Sequence, residues 1–380
     1  MEITSDEAED WFMQSLTLYK DLHVFQLEHP TKTIEWTGEK SICVAGYSDS
    51  EKNEILELLL PLKLYAKENQ GLCPERDFKL QRGGFSDEPV ECLRRIFGKR
   101  CVVTSGRHNS NLQVWDIGED NSDVIRRTGI INCSPASATT RKLASGFTEV
   151  PSVLHGSTIC DVQQTEVASG RTLYAVETDS SDVVSGLQFV NANTFAICAT
   201  NGTLYMGDSR DPKIHDYALS KTTAGSHWAF GLRTSDPQND AASCTVVRLS
   251  SSGQIIMSDL RNLNTPTGQA QLNLKQNDSS NELLTVTWAP ALGNHLAVSG
   301  FDGLVQIYDT RSWSMESEPP QPIFVHQGHE LSCEEKTDAT LVVTTHVWHP
   351  WRPRTLLSAA SDGSVHVWDW VDKNNETIEN

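Results

Sequence analysis

The chain has 380 residues and a formal charge of −19, from 31 Lys plus Arg against 50 Asp plus Glu. An acidic excess of that size opposes unassisted binding to a nucleic-acid duplex or an anionic membrane surface. With 38% hydrophobic and 21% charged residues, the composition supplies a buried core and excludes a chain disordered throughout.

The N-terminus, MEITSDEAED, is acidic and has neither the basic region nor the apolar region of a secretory leader. No stretch approaches the roughly 20 apolar residues of a membrane-spanning helix. Nine cysteines contain no C-x-x-C pair, and Cys43, Cys101, Cys198 and Cys244 sit in apolar runs. Free thiols in a reducing compartment fit that pattern better than a disulfide framework.

Taken in chain order, Trp11, Phe12, Ser15, Leu16, Tyr19 and His23 fall at helical spacings and predict a short amphipathic helix over 6–20. Next comes LHVFQL (22–27), which alternates as a strand does. NEILELL (53–59) begins a series of similar units, each with a small or apolar run, a tight turn, an alternating run and an acid. TSGRHNSNLQVWDI (104–117) and VLHGSTICDV (153–162) continue it in degenerate form. The clear copies are CATNGTLYMGDSR (198–210), RLSSSGQIIMSDLR (248–261), SGFDGLVQIYDTR (299–311) and SAASDGSVHVWDW (358–370). In each of these the Asp follows the turn Gly by six residues: 202 to 208, 253 to 259, 303 to 309 and 363 to 369. Asn201-Gly202, Asp302-Gly303 and Asp362-Gly363 are turn pairs suited to the positive φ of a two-residue hairpin.

The acids at 57, 116, 161, 208, 259, 309 and 369 then mark seven units spaced 45 to 60 residues apart. That spacing is slightly longer than the usual repeat of a propeller built from four-stranded blades. LLTVTWAP (283–290) and LVVTTHVWHP (341–350) read as the first strands of the last two units. Only VDKNNETIEN follows Trp370, and it is too polar for an outer strand, so LHVFQL is expected to complete the last blade and pin the termini together. Segments 67–87, 118–140, 212–240, 262–282 and 312–340 are hydrophilic and read as insertions. The expected organisation is an acidic segment and helix over 1–20, a seven-bladed propeller over 21–371 and a polar tail over 372–380.

Trp115-Asp116, Trp368-Asp369, Gly328-His329 and the six-residue offsets together resemble the WD40 repeat family over essentially the whole chain. Cys160, Gly207, Ser258 and Tyr308 stand where a regular repeat carries Trp, which leaves the Asp–His–Ser/Thr–Trp network of that family partial. At finer grain, KNEILELLLPLKLYAKENQGLCPERDF, LLTVTWAPALGNHLAVSGFDG and RPRTLLSAASDGSVHVWDWVD resemble one subfamily of these proteins. The resemblance implies a non-enzymatic, cytoplasmic scaffold, monomeric on its own, associated with spindle poles and the cleavage furrow. It also implies binding to the endonuclease subunit pair of the Integrator complex together with an associated assembly factor.

No nucleophile elbow, phosphate-binding loop, H-E-x-x-H or dinucleotide fingerprint occurs, so no catalytic or cofactor-binding residue is expected. His326/His329 and His346/His349 form two H-x-x-H pairs, but residues three apart on a strand face opposite sides, and no metal site is expected. Asp208-Ser209-Arg210, Asp259-Leu260-Arg261 and Asp309-Thr310-Arg311 repeat D-x-R. Local Asp–Arg pairing explains them; a resemblance to the D-x-R box of cullin-4 ligase substrate receptors implies the alternative function. Two places stand out as candidate protein contacts. Trp351, Arg352 and Arg354 lie in the turn Pro350–Arg354, where Trp351 either meets a partner or packs on its own blade beneath Arg352. Arg76, Asp77 and Phe78 lie in the first long insertion, where Phe78 either meets a partner or packs beneath the ring.

Overall fold

Each sequence unit folds as a hairpin because its apolar positions alternate and its turn carries a residue that tolerates φ > 0. Gly202 (φ 87°), Gly253 (φ 82°) and Gly363 (φ 88°) fill that role. At Gly363 a Cβ would also meet the Leu27 carbonyl oxygen at 2.8 Å. The unit around Asp302-Gly303 departs from expectation. Its positive φ falls at Gly300 (φ 98°), where a Cβ would lie 2.3 Å from the Leu283 carbonyl oxygen.

The computed structural model describes residues 5–49, 52–61, 77–118, 122–133, 140–147, 150–218, 225–233, 244–274, 281–311, 313, 319–332 and 341–371. Within them, seven antiparallel four-stranded sheets form a closed propeller. The inner strands, beginning with Thr31–Trp36 in blade 1 and ending with Val343–Trp348 in blade 7, contact one another around the ring, and the last touches the first. The core is divided into seven apolar clusters, one wedged between each pair of adjacent blades. Such a ring removes most free strand edges by radial packing.

Closure follows the sequence expectation. Blade 7 comprises Val343–Trp348, Thr355–Ala360 and Ser364–Trp370, and its outer strand is the N-terminal Tyr19–Gln26. The register runs from Tyr19 opposite Trp370 to Gln26 opposite Ser364, with a bulge between Tyr19 and Asp21. Val371 N–H donates to the Leu18 carbonyl (2.9 Å), and Leu27 N–H donates to that of Gly363 (2.9 Å). The N-terminal helix spans Ser5–Leu18, shorter than its periodicity suggests. Tyr19 and His23 belong to the closing strand, where ladder pairing outweighs the helical spacing. Trp11 and Leu18 pack against the cluster between blades 6 and 7, while Met13 and Leu16 are each 64% exposed.

Two acid markers are misplaced. The residue opposite the start of the second strand is Asp116, Asp208, Asp259, Asp309 or Asp369 in five blades, but Leu59 in blade 1 and Glu166 in blade 3. Glu57 lies two residues earlier, is buried, and pairs with the buried Arg82. Asp161 closes a 3-10 turn, Ile159–Asp161, between the second and third strands of blade 3. Thr165 therefore stands in the Trp position, and Cys160 does not.

All five hydrophilic segments read as insertions contain strand residues. Lys79–Ser86, Arg126–Ile131, Asp211–Tyr217, Asn262–Gln271 and Phe324–His326 are the outer strands of blades 1, 2, 4, 5 and 6, and Trp228–Arg233 is an inner one. An outer strand is solvated along much of its length, so its alternation is diluted by Asp, Lys, Arg and Asn.

Candidate interaction faces and the buried histidine network

The antiparallel order gives the ring two chemically different faces. Turns from inner to second strand and from third to outer strand emerge on one face, called lower here. The second-to-third hairpins and the connections between blades emerge on the upper face.

On the lower face of blade 7, the turn Pro350–Arg354 is shaped by His349. Its Nδ1 accepts from the N–H of Trp351 (3.2 Å) and of Arg352 (3.1 Å), and Arg354 adopts φ 67°. The Trp351 ring is 61% exposed and touches His349 edge-on at 5.9 Å between centroids. Trp351 thus projects largely into solvent. Arg352 and Arg354 are half-buried.

The second candidate group is divided. Arg76 lies outside the described residues. Asp77 is exposed. Phe78 is buried in the cluster between blades 7 and 1, with its ring 5.6 Å from Phe25. Its ring therefore packs between blades 7 and 1 and does not stand exposed.

The D-x-R arginines turn back on their own aspartates. Arg210 reaches Asp208 at 2.6 Å, Arg261 reaches Asp259 at 2.5 Å and Arg311 reaches Asp309 at 2.5 Å. These guanidinium hydrogen bonds pull the Asp208 and Asp259 carboxyls down to about 2 and lower that of Asp309. Local pairing accounts for the repeat without a partner.

The histidines assemble more than the sequence suggests. His326 ends an outer strand, and His329 lies in a short helix, Gly328–Ser332, rather than in a strand. Both meet His366 of blade 7, all three fully buried, with a nitrogen of each within 4.8 Å of the others. Every nitrogen of His329 is committed: Nδ1 to Ser364 Oγ and Nε2 to Ser358 Oγ, each at 2.8 Å. Ser364 Oγ–H donates to Asp362 (2.7 Å), which places the His329 proton on Nδ1, so Nε2 accepts from Ser358. Trp368 Nε1–H donates to the same Ser358 Oγ at 3.2 Å. Blade 7 thus holds a complete Trp–Ser–His–Ser–Asp chain. His326 is also filled, by Tyr19 Oη at 2.8 Å and by His366 Nδ1 at 3.1 Å. His329 and His366 stack at 3.8 Å with planes 15° apart, so their lone pairs do not converge on one ion. The cluster is a hydrogen-bond network that ties the closing strand to blades 6 and 7. Burial pushes His329 and His346 down to about 3 and holds His326 and His366 well below the usual histidine range. Sequence reasoning paired His326 with His329 and missed His366, whose only signal is its inward place in the alternating SVHVWDW.

A seven-bladed ring whose last blade carries this chain is a WD40-type propeller. No family model matches the sequence. It is nevertheless 59% identical to Integrator complex assembly factor WDR73 of Danio rerio over 98% of this chain and 99% of that protein. The proteins of the same name in Mus musculus and Homo sapiens are 43% and 40% identical, covering 96% and 97% of this chain and 98% of each relative. The chain belongs to the WDR73 family of WD repeat proteins.

Proposed function

We propose that this protein is an assembly factor for the Integrator complex that works by binding rather than by turnover. In this reading it holds the endonuclease subunit pair, with an associated assembly factor, in the cytoplasm before nuclear entry. One observation carries the proposal: near full-length identity of 40–59% to three proteins named for Integrator assembly. The fold is consistent with it. Trp351 stands exposed on a short turn held by His349, which offers a rigid aromatic anchor of the kind that dominates binding energies. A role at spindle poles and the cleavage furrow belongs to the same reading. The charge of −19 then favours contact with acidic tubulin tails through an adaptor.

Affinity purification of the tagged full chain followed by mass spectrometry tests this function. Recovery of the Integrator endonuclease subunits is the expected result. Recovery of a cullin-4 adaptor in their place, or of neither, would contradict it.

A further inference from the structure

We propose that the lower mouth of the central channel docks an acidic segment of a partner protein that carries a bulky apolar side chain. The channel is a cavity of about 890 Å³ lined by the inner strands of all seven blades. Phe97 and Phe147 stand at its rim in the lower turns of blades 2 and 3, with ring centroids 5.7 Å apart. They are 56% and 46% exposed, an aromatic pair in solvent that shields neither ring fully. Two aromatics in edge-to-face contact, left open at the mouth of a cavity, are an apolar anchor without its counterpart.

The charge of the occupant follows from what the lining leaves unpaired. Each carboxylate there has a cation: Glu35 has Arg94 at 3.3 Å, Glu91 has Lys32 at 2.6 Å and Glu282 has Lys32 at 3.8 Å. Arg95 and Lys142 also line the cavity; Glu35 Oε1 accepts from the Arg95 backbone N–H at 3.1 Å, but among the described residues no ion pair within 4 Å joins the side chain of Arg95 or of Lys142 to a carboxylate. Two buried donors in the same lining, Arg95 Nε and Trp288 Nε1, lack an acceptor. A surplus of cations and orphaned donors in a chain of charge −19 selects a ligand rich in acceptors and negative charge. Arg95 ends its inner strand beside the Phe pair, whereas Lys142 begins its own at the other mouth. The two cations are therefore separated by roughly the 13–17 Å rise of four or five extended residues. An extended acidic peptide meets both, and a compact anion does not.

This inference concerns the chemistry of the occupant and stands apart from the Integrator assignment. It is tested by selecting a random displayed peptide library on the full chain, then titrating the enriched peptides, as synthetic probes, against variants. The enriched peptides should carry Asp or Glu beside Phe, Leu or Trp. Their affinity should fall at least tenfold on Phe97→Ser with Phe147→Ser, and again on Arg95→Gln, while Val24→Ser on the closing strand leaves it unchanged. Thermal melts matching the wild type show that the variants fold. The proposal is overturned by a selection that enriches nothing, by enriched peptides that are basic, or by peptides indifferent to both rim variants. It is equally overturned if only a single-stranded oligonucleotide or inorganic phosphate binds in an Arg95-dependent way.

Discussion

Blades 7 and 3 solve the same problem with different chemistry. In blade 7 the second and third strands are locked by Trp368, Ser358 and His329, and the chain ends on the turn acid Asp362. In blade 3 the third strand carries Thr165 in the Trp position, which meets His155 Nε2 at 2.9 Å, and Gln164, whose Nε2 donates to Ser152 Oγ at 2.7 Å. Its turn is fixed by Asp161, which accepts from the N–H groups of Ser157 (2.8 Å) and Thr158 (2.9 Å) and pairs with the buried Arg141 at 3.0 Å. The ring requires each turn to be tied to its strands, and it does not require one set of residues. Trp–Ser–His wiring is legible as a motif, and the ion-paired substitute is not.

Removing the closing strand should produce the largest effect. Deletion of residues 1–26 takes Tyr19 from the His326 network and bares the backbone edge of Ser364–Trp370. The loss is expected to consume most of the ~5–15 kcal/mol that holds a domain together. A cooperative melt within a few degrees of the full chain would show that blade 7 does not depend on its N-terminal strand.

Acid distinguishes the two blades next. His326, His329, His346 and His366 gather at blades 6 and 7, and His155 alone in blade 3, where burial and then Arg141 lower it to about 3. Their folded values lie below 6.5, so they do not oppose folding above that pH. Stability should fall as pH drops from about 6.5 toward 3, because the unfolded chain takes up protons that the folded one refuses. Each such group contributes up to about 1.4 kcal/mol per pH unit in that window. Denaturant melts at stepped pH should show a steep acid limb, flattened more by His326→Gln with His366→Gln than by His155→Gln. Equal flattening would contradict the concentration of buried imidazole at the closure.

Single hydroxyl deletions sharpen the comparison further. Ser358→Ala strips both His329 Nε2 and Trp368 Nε1 of their partner and should cost roughly 2–3 kcal/mol. Thr165→Val orphans only His155 Nε2 and should cost about 1 kcal/mol. Unfolding midpoints at constant slope give the difference directly.

The ring was readable in the sequence because its hairpins are buried on both faces and punctuated by turns such as Asn201-Gly202 and Asp362-Gly363. The closing strand was readable because LHVFQL alternates and the ten residues after Trp370, VDKNNETIEN, are too polar for an outer strand. Outer strands such as Asp211–Tyr217 were hidden, since solvent tolerates Asp, Pro, Lys and His along them. Trp351 was found from its local setting between Pro and Arg. Phe97 and Phe147 were missed because each is one aromatic in a short turn. They become a pair only when blades 2 and 3 are placed side by side, which no local pattern announces.

The smallest effect on stability should belong to the exposed turn of blade 7, and it bears on the central claim. Trp351→Ala with Arg352→Ala should move the melting temperature little, since the Trp351 ring projects into solvent. The decisive measurement is the affinity of the full chain, wild type and double variant, for the purified Integrator endonuclease subunit pair. The account predicts a complex with the wild type that weakens by roughly 2 kcal/mol or more in the folded variant, the scale of an interface hot spot. No complex with the wild type, or equal affinity for both proteins, would contradict it.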